Sequence, residues 1–211
     1  MKAVLMSIQP KWCELIASGK KTVEVRKNKP KLEAPFKVYI YCTKAKDHFS
    51  IGGGIYATSD TLYRLPTGEI KFGDGFELMG DWSGQYDENN FLNGKVVGEF
   101  VCDTFITDKT FGHDALFNAA ACLSDADAAS YCVNKETYGW HITDLVIYDK
   151  PRGLSEFKTF CKSYYDGKRC DDCKYFIDGR GYEYDESDCG CNGLKPITRP
   201  PQSWCYVEEV E

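Results

Sequence analysis

The chain has 211 residues, 43% of them hydrophobic and 27% charged, so it is long enough to bury a sizeable core without disulfide staples. No apolar run has membrane-spanning length, and the N-terminus turns polar too early for a signal peptide, so we expect a cytoplasmic protein with no membrane partner. The formal net charge is −6, yet residues 1–50 contain 11 Lys and Arg against 4 Asp and Glu. This basic segment can attract phosphates locally, but on composition alone a solvated lysine face is the more common interpretation.

The first predicted elements are a strand over residues 1–8 and a short helix that begins at Pro10 and ends before Gly19. Proline suits the first helical position, and glycine suits the residue just after a helix end. A second strand follows, in which Thr22, Glu24 and Arg26 alternate with two valines. Period-two alternation places the three polar residues on one face of that strand and the valines on the other.

A cluster of charge is predicted at the start of this second strand, where Lys21, Glu24 and Arg26 come together. A glutamate between a lysine and an arginine can hold both cations in a fixed geometry. That arrangement suits a phosphate, a carbonyl or the polar edge of a base. The alternative is a charged strand face in solvent, where such an ion pair stabilises the fold little.

The pattern G-x-K-x-x-E-x-R from Gly19 to Arg26, directly after a short helix, resembles the ASCH domain family of the PUA-like superfamily. The resemblance implies an α+β fold: a small mixed β-barrel with short flanking helices. Further predicted strands over residues 37–42, 94–102 and 138–148 follow in the matching order. We therefore expect an ASCH/PUA-like domain over residues 1–160 with an insertion at 43–93, and its closing strand within 199–211.

Other elements are predicted from local signals. The insertion is rich in glycine, and a turn at residues 65–69 predicts a hairpin over about residues 55–72. Residues 114–122 have helical composition, and Ser124 suits the N-cap of a second helix. After Pro151, residues 154–160 predict another short helix.

Residues 161–198 contain two close cysteine pairs, C-x2-C followed by C-x-C. Two such pairs at this separation predict a four-thiolate structural zinc site in a small lobe. The predicted ligands are Cys170, Cys173, Cys189 and Cys191, with Cys161 and Cys205 as alternative ligands. Two disulfides or free thiols are the other interpretations, although an odd total of 11 cysteines argues against a complete disulfide framework.

Ring side chains cluster at Tyr138, Trp140 and His141, and Trp12 follows the first strand. An aromatic shelf beside a polar pocket is how proteins stack a base, so these four residues are candidate ligand contacts. Alternation places Tyr138 and Trp140 on one face and His141 on the other. Core packing of a barrel strand is the competing interpretation.

The resemblance implies an RNA- or nucleotide-binding protein, because the superfamily commonly binds RNA or modified bases. The predicted ligand contacts are the ring residues together with Lys20, Lys21, Thr22, Glu24 and Arg26. A second hypothesis is an amidohydrolase: a bacterial ASCH enzyme hydrolyses acetylcytidine, and its catalytic lysine matches Lys21, with Glu24 as a tentative partner. A third is a non-catalytic, phage-type regulatory protein.

Overall fold

A computed structural model describes residues 1–44, 48–51, 54–57, 60–65, 67–73, 77–81, 90–107, 115–131, 136–160 and 193–210. The fold is mixed α+β, as the sequence predicts, with one large sheet and a few short helices. Among the described residues, no helix is long and apolar enough to cross a membrane.

The strands and helices are numbered here in chain order. The strands are β1 (Lys2–Ile8), β2 (Val23–Arg26), β3 (Phe36–Cys42), β4 (His48–Ile51), β5 (Gly54–Ala57), β6 (Leu62–Arg64), β7 (Ile70–Phe72), β8 (Glu77–Asp81), β9 (Val96–Thr107), β10 (Tyr138–Arg152), β11 (Lys158–Phe160), β12 (Leu194–Pro196) and β13 (Trp204–Glu208). The α-helices are α1 (Pro10–Ala17), α2 (Ala115–Ala120) and α3 (Asp125–Tyr131), and a 3-10 helix covers Leu154–Glu156.

The large sheet has eight strands in the order β12-β11-β13-β1-β3-β9-β10-β2. Strands β1 and β3 are parallel, with Val4 opposite Val38, and every other pairing in the sheet is antiparallel. The C-terminal strand β13 lies beside β1.

The sheet curls so that its far strands approach each other across the interior. The Arg26 guanidinium on β2 donates to the Ser7 carbonyl on β1 at 2.7 Å. The rings of Trp140 on β10 and Trp204 on β13 lie 5.9 Å apart between centroids. This curl encloses the main hydrophobic cluster, in keeping with the predicted barrel.

Both faces of the central strands are buried, because the sheet packs against apolar side chains on its inner and outer sides. On β3, Val38 and Ile40 face the inner cluster, whereas Tyr39 and Tyr41 face an outer cluster that includes Phe157. Continuous burial explains why β1 and β3 are almost uninterrupted apolar runs.

Two local predictions were correct in type and position. Helix α1 begins at Pro10, and Gly19 lies beyond its end with a φ of +73°, a conformation that glycine adopts readily. The Ser124 hydroxyl accepts a hydrogen bond from the Asp127 amide at 3.1 Å, so it caps α3.

Two local predictions were wrong. Residues 154–160 do not form one helix: the 3-10 helix ends at Glu156, and β11 follows because Phe157 is fully buried and Thr159 pairs with Val207. The hairpin predicted over about residues 55–72 is shorter, since β6 pairs with β7 whereas β5 pairs with β4 and β8.

Candidate functional site

A cavity of about 440 Å³ opens where α1, β2, α3 and the loop before β13 meet. This volume lies within the range of about 300–1,000 Å³ that is usual for small-molecule sites. The lining residues are Ser7, Gln9, Trp12, Lys21, Glu24, Val25, Arg26, Thr43, Leu123, Asp127, Ser130, Tyr131, Pro200, Pro201 and Gln202.

One wall of the cavity carries a row of three charged side chains. Glu24 lies between the two cations, 3.4 Å from the Lys21 ammonium and 2.9 Å from the Arg26 guanidinium. Glu24 is 5% exposed and Lys21 is 3% exposed, so this is not a solvated strand face. The structure therefore brings together the three residues that the motif placed at the start of the strand.

The pairing of β2 with β10 explains why these side chains turn inward. Glu24 lies opposite Trp140, and residues directly opposite each other in a sheet share a face. On the other face, Val23 and Val25 pack against Phe117 of α2. Because the valines are buried beneath α2, alternation directs Glu24 and Arg26 towards the cavity.

Lys21 is held by contacts on three sides. Its ammonium donates to the Ala121 carbonyl at 2.5 Å, pairs with Glu24, and lies 4.9 Å from the centroid of the Trp12 ring. Burial lowers the pKa of Lys21 below its ordinary value; Glu24 opposes this shift, and Arg26 adds to it. The site thus contains a buried amine that gives up its proton more readily than a lysine in water.

The end of α2 places the Ala121 carbonyl against this amine. Cys122 has a φ of +53°, and the Leu123 amide reaches back to the Asn118 carbonyl at 2.9 Å, which is the bonding pattern of a helix that ends in a left-handed residue. The Cys122 thiol donates to the Lys20 carbonyl at 3.3 Å. The turn after α2 is therefore bonded directly to the residue that precedes Lys21.

Arg26 connects β2 to the opposite side of the cavity. Besides the bond to Ser7, it donates to the Ser203 hydroxyl at 3.4 Å, and the Ser7 hydroxyl donates to the Pro201 carbonyl at 2.6 Å. Within the described part of the chain, the buried Arg26 Nε has no hydrogen-bond partner. These bonds fix the loop before β13 as the second wall.

The predicted ring residues fall in different places. Trp12 lines the cavity, and Tyr138 lies opposite Arg26 in the β2–β10 pairing. The prediction that Trp140 is an exposed shelf was wrong: its ring is fully buried and packs edge-on against Phe36 and Phe105. It is a core residue because the curled sheet covers it from the opposite side.

The other predicted ligand contacts lie beside the cavity wall rather than on it. The His141 imidazole is 2.7 Å from the Asp103 carboxylate, next to Trp140 and so on the other face of β10. Lys20 and Thr22 are exposed, and neither is among the described residues that line the cavity. The Thr22 backbone instead bonds α2 and β10, through the Ala120 carbonyl and the Ile142 amide.

Sequence reasoning missed the contribution of α3 and of residues 200–202. Asp127, Ser130 and Tyr131 line the cavity from α3, and Gln202 lines it from the loop before β13. The Ser124 cap predicted that a helix begins there. No signal along the chain indicated that this helix would lie across from β2.

The predicted zinc ligands Cys170, Cys173, Cys189 and Cys191 lie outside the described residues, as does Cys161. Cys205 is described, and it is a free, half-buried thiol on β13. In the part of the chain that the structure covers, no group of three or more His, Cys, Asp or Glu side chains is arranged to hold a metal ion. The zinc site stays a prediction.

One comparison with known protein families found a match. Residues 6–102 match the model of the ASCH domain. No curated protein matches the sequence.

Solved structures of an ASCH protein from Zymomonas mobilis are similar to this chain. The crystal structure of that protein is 14% identical with a TM-score of 0.47, covering 98% of this chain and 88% of that one. For one mutant form, the identity is 15% and the TM-score is 0.48, and the match covers 98% of this chain and 89% of that one. For a second mutant form, the identity is 16% and the TM-score is 0.43, and the match covers 73% of this chain and 77% of that one. On this match, residues 6–102 of the chain form an ASCH domain.

Proposed function

We propose that the cavity binds a nucleobase, and that the protein is an RNA- or nucleotide-binding member of its family. The observation that carries this proposal is the row of Lys21, Glu24 and Arg26, two of them buried and the arginine partly so, on a wall that also includes the Trp12 ring. A row of cation, carboxylate and cation offers donor, acceptor and donor groups in one line. Such a row is complementary to the edge of a base, where carbonyl and amino groups alternate.

Trp12 supports a planar ligand rather than a bare phosphate. Its ring lines the cavity beside the charged row, and bases that are not paired stack on aromatic side chains. A phosphate without a base would be attracted by Lys21 and Arg26 but repelled by the Glu24 carboxylate. The carboxylate at the centre of the row therefore favours a base over an inorganic anion.

Equilibrium titration with nucleosides and nucleoside 5′-monophosphates tests the proposal. Lys21→Met keeps the apolar stem but removes the ammonium, and the loss of one hydrogen bond from a charged group should weaken binding about 10- to 100-fold. Lys158→Met, at an exposed lysine of β11 outside the cavity wall, is the matched control and should bind like the wild type. Equal affinities for the two variants would remove Lys21 from the site.

Amidohydrolysis is a second candidate function, and the lowered pKa of Lys21 favours it. In this reaction the neutral Lys21 amine takes a proton from water as the hydroxide adds to the acyl carbonyl of an acylated base. The tetrahedral intermediate collapses, the C–N bond breaks, and the leaving exocyclic amine receives the proton from Lys21. The products are acetate and the unmodified nucleoside.

Release of acetate from acetylcytidine tests this second function. The hydrolase hypothesis predicts that Lys21→Met abolishes turnover while much of the nucleoside affinity remains. It also predicts that the rate rises with pH as the Lys21 amine loses its proton. Absence of turnover by the wild type at high enzyme concentration would eliminate the hydrolase and leave the binding function in place.

We further propose that Cys170, Cys173, Cys189 and Cys191 hold one structural zinc ion. The support is the spacing of the two pairs, since four thiolates complete a tetrahedral site with no open position for catalysis. The third hypothesis, a non-catalytic phage-type regulator, depends on the acidic residues of the same lobe. Those residues lie outside the described part of the chain.

A further inference from the structure

We propose that the cavity selects a uracil base, whose edge presents a ring imide, C(=O)–NH–C(=O), and rejects cytosine, adenine and guanine. This inference rests on the proposed base-binding function. It goes further by naming the base that the row of Lys21, Glu24 and Arg26 accepts. It also names Glu24 as the residue that determines the choice.

Each member of the row forms hydrogen bonds in one sense only. An ammonium and a guanidinium only donate, and an ionised carboxylate only accepts. None of them can exchange these roles, as a hydroxyl, an amide or an imidazole can. Glu24 lies in the middle, 3.4 Å from the Lys21 ammonium and 2.9 Å from the Arg26 guanidinium. The wall of the cavity therefore has a fixed order of donor, acceptor and donor.

The row keeps hydrogen-bonding capacity for a ligand after its bonds within the protein are counted. An ammonium has three N–H groups, and the Ala121 carbonyl and Glu24 account for two of those on Lys21. Each Glu24 oxygen contacts one cation, whereas a carboxylate offers about four lone-pair sites. The buried Arg26 Nε has no hydrogen-bond partner among the residues that the structure describes. A donor thus remains at each end of the row, with acceptor sites between them.

Uracil is the RNA base whose pairing edge matches this order. Its two carbonyls accept hydrogen bonds, so they suit Lys21 and Arg26, and the N3–H between them suits the Glu24 carboxylate. Cytosine instead turns the lone pair of its N3 towards the carboxylate and its amino group towards a cation. Adenine and guanine also place an amino group against a cation. Because each base has its own pattern of donors and acceptors, a row with fixed roles discriminates among them.

Burial makes a mismatch costly at this wall. Lys21 is 3% exposed and Glu24 is 5% exposed, so water cannot readily replace a bond that the wrong base fails to make. A site built to hydrogen-bond one group rejects an analogue without it, because the buried polar groups of the site are left unpaired. We therefore expect cytidine to bind at least about 100-fold more weakly than uridine.

Trp12 contributes affinity without choosing among the bases. Its ring lines the cavity beside the charged row. Stacking on an aromatic side chain tolerates any base, since every base has a π face. If stacking alone held the ligand, the four nucleosides would bind alike. The selection therefore depends on the edge of the base and on the row that it meets.

Competition among nucleosides for the wild-type protein tests the inference. Uridine should bind most tightly of the four. The compound 3-methyluridine replaces only the N3–H with N–CH3, so it should bind at least about 100-fold more weakly than uridine. The matched control is 5-methyluridine, which keeps the imide intact and should bind like uridine.

The variant Glu24→Gln tests the residue that determines the choice. A glutamine amide offers an N–H donor as well as an acceptor, so it can donate to N3 of cytosine. The preference for uridine over cytidine should fall by about 10-fold or more. This preference is a ratio of two affinities on one sample, so partial unfolding does not change it. Glu156→Gln, outside the described wall of the cavity, should keep the wild-type ratio.

The outcomes separate this inference from the function on which it rests. If nucleosides bind, but cytidine or 3-methyluridine binds as tightly as uridine, the selection is wrong and the base-binding cavity stands. Tighter binding of acetylcytidine than of uridine would also overturn the selection. The comparison of uridine with 3-methyluridine uses the wild type, so it decides the matter even if Glu24→Gln does not fold. If no nucleoside binds, the base-binding function fails together with the inference.

Discussion

The Lys21 ammonium and the Ala121 carbonyl form a buried hydrogen bond of 2.5 Å between residues that are 100 positions apart. Lys21 lies within the ASCH match over residues 6–102, whereas Ala121 lies beyond it. The motif lysine is therefore oriented by its neighbour Glu24 and also by the end of a helix from a later part of the chain. Helix carbonyls at a C-terminus favour a nearby cation, so this position suits an ammonium.

Replacing Glu24 should be costly, because this buried carboxylate is shared by the buried Lys21 and the partly buried Arg26. Glu24→Gln leaves Lys21 and Arg26 without their counter-charge, and we expect a loss of about 3–5 kcal/mol in the free energy of unfolding. The matched control is Glu156→Gln, which removes an exposed partner of Arg152 and should cost about 0–1 kcal/mol. Urea denaturation of both variants measures the difference, and similar small losses would contradict a buried charged row.

The left-handed turn at Cys122 predicts opposite results for two substitutions. Cys122→Gly fits a φ of +53° without strain and loses only the weak thiol bond to Lys20, so its stability should stay close to that of the wild type. Cys122→Val places a β-branched side chain in the same conformation and should cost about 1–3 kcal/mol. Thermal unfolding compares them; a valine variant as stable as the glycine variant would show that the turn is not held in this geometry.

Alkaline pH should destabilise the fold through buried thiols. Burial raises the pKa of Cys102 to about 12 and that of Cys205 to about 11, above the ordinary value of 9.0. Between pH 9 and the raised pKa of each thiol, the unfolded chain loses a proton that the folded chain keeps. The free energy of unfolding therefore falls as pH rises through this range, by up to about 1.4 kcal/mol per pH unit for each thiol. The lowered pKa of Lys21 acts in the opposite direction, since the unfolded state then holds the extra proton.

Comparing Cys102→Ala with the wild type isolates the thiol contribution. The cavity left by the smaller side chain lowers stability by the same amount at every pH, whereas the slope between pH 9 and 11 should become shallower. Denaturant titrations at several pH values provide both quantities. An unchanged slope would mean that the Cys102 thiol ionises in the folded protein as it does in the unfolded chain.

Purified protein should contain about one zinc ion per chain if the cysteine lobe is a structural site. Cys170→Ser and Cys189→Ser should each lower the zinc content, whereas Cys205→Ser should not, because Cys205 is on β13 in the main sheet. Elemental analysis measures the metal, and thiol titration counts the cysteines that react. Protein free of metal, with either four reactive thiols or two disulfides in the lobe, would refute the zinc prediction.

Much of the candidate site could be predicted because its signals are local. Pro10 and Gly19 mark the ends of α1, and alternation along β2 puts Glu24 and Arg26 on the face opposite the valines. These features depend on neighbours in sequence, so a single strand and a single helix are enough to infer them.

The parts of the candidate site that could not be predicted depend on contacts between segments that are distant in sequence. Alternation puts Trp140 and Tyr138 on the same face, but only the curl of the sheet, which brings Trp204 against Trp140, determines which ring is buried. Tyr131 reaches the cavity wall because Phe117 anchors the α2–α3 segment on the valines of β2. No periodicity within either segment encodes that packing.

A crystal structure of the protein with a short single-stranded RNA would show whether the cavity binds a base. We expect an unpaired base in the cavity, stacked on Trp12, with its polar edge bonded to Lys21, Glu24 and Arg26. An RNA bound elsewhere on the surface, or a base in the cavity whose edge contacts none of those three residues, would contradict it.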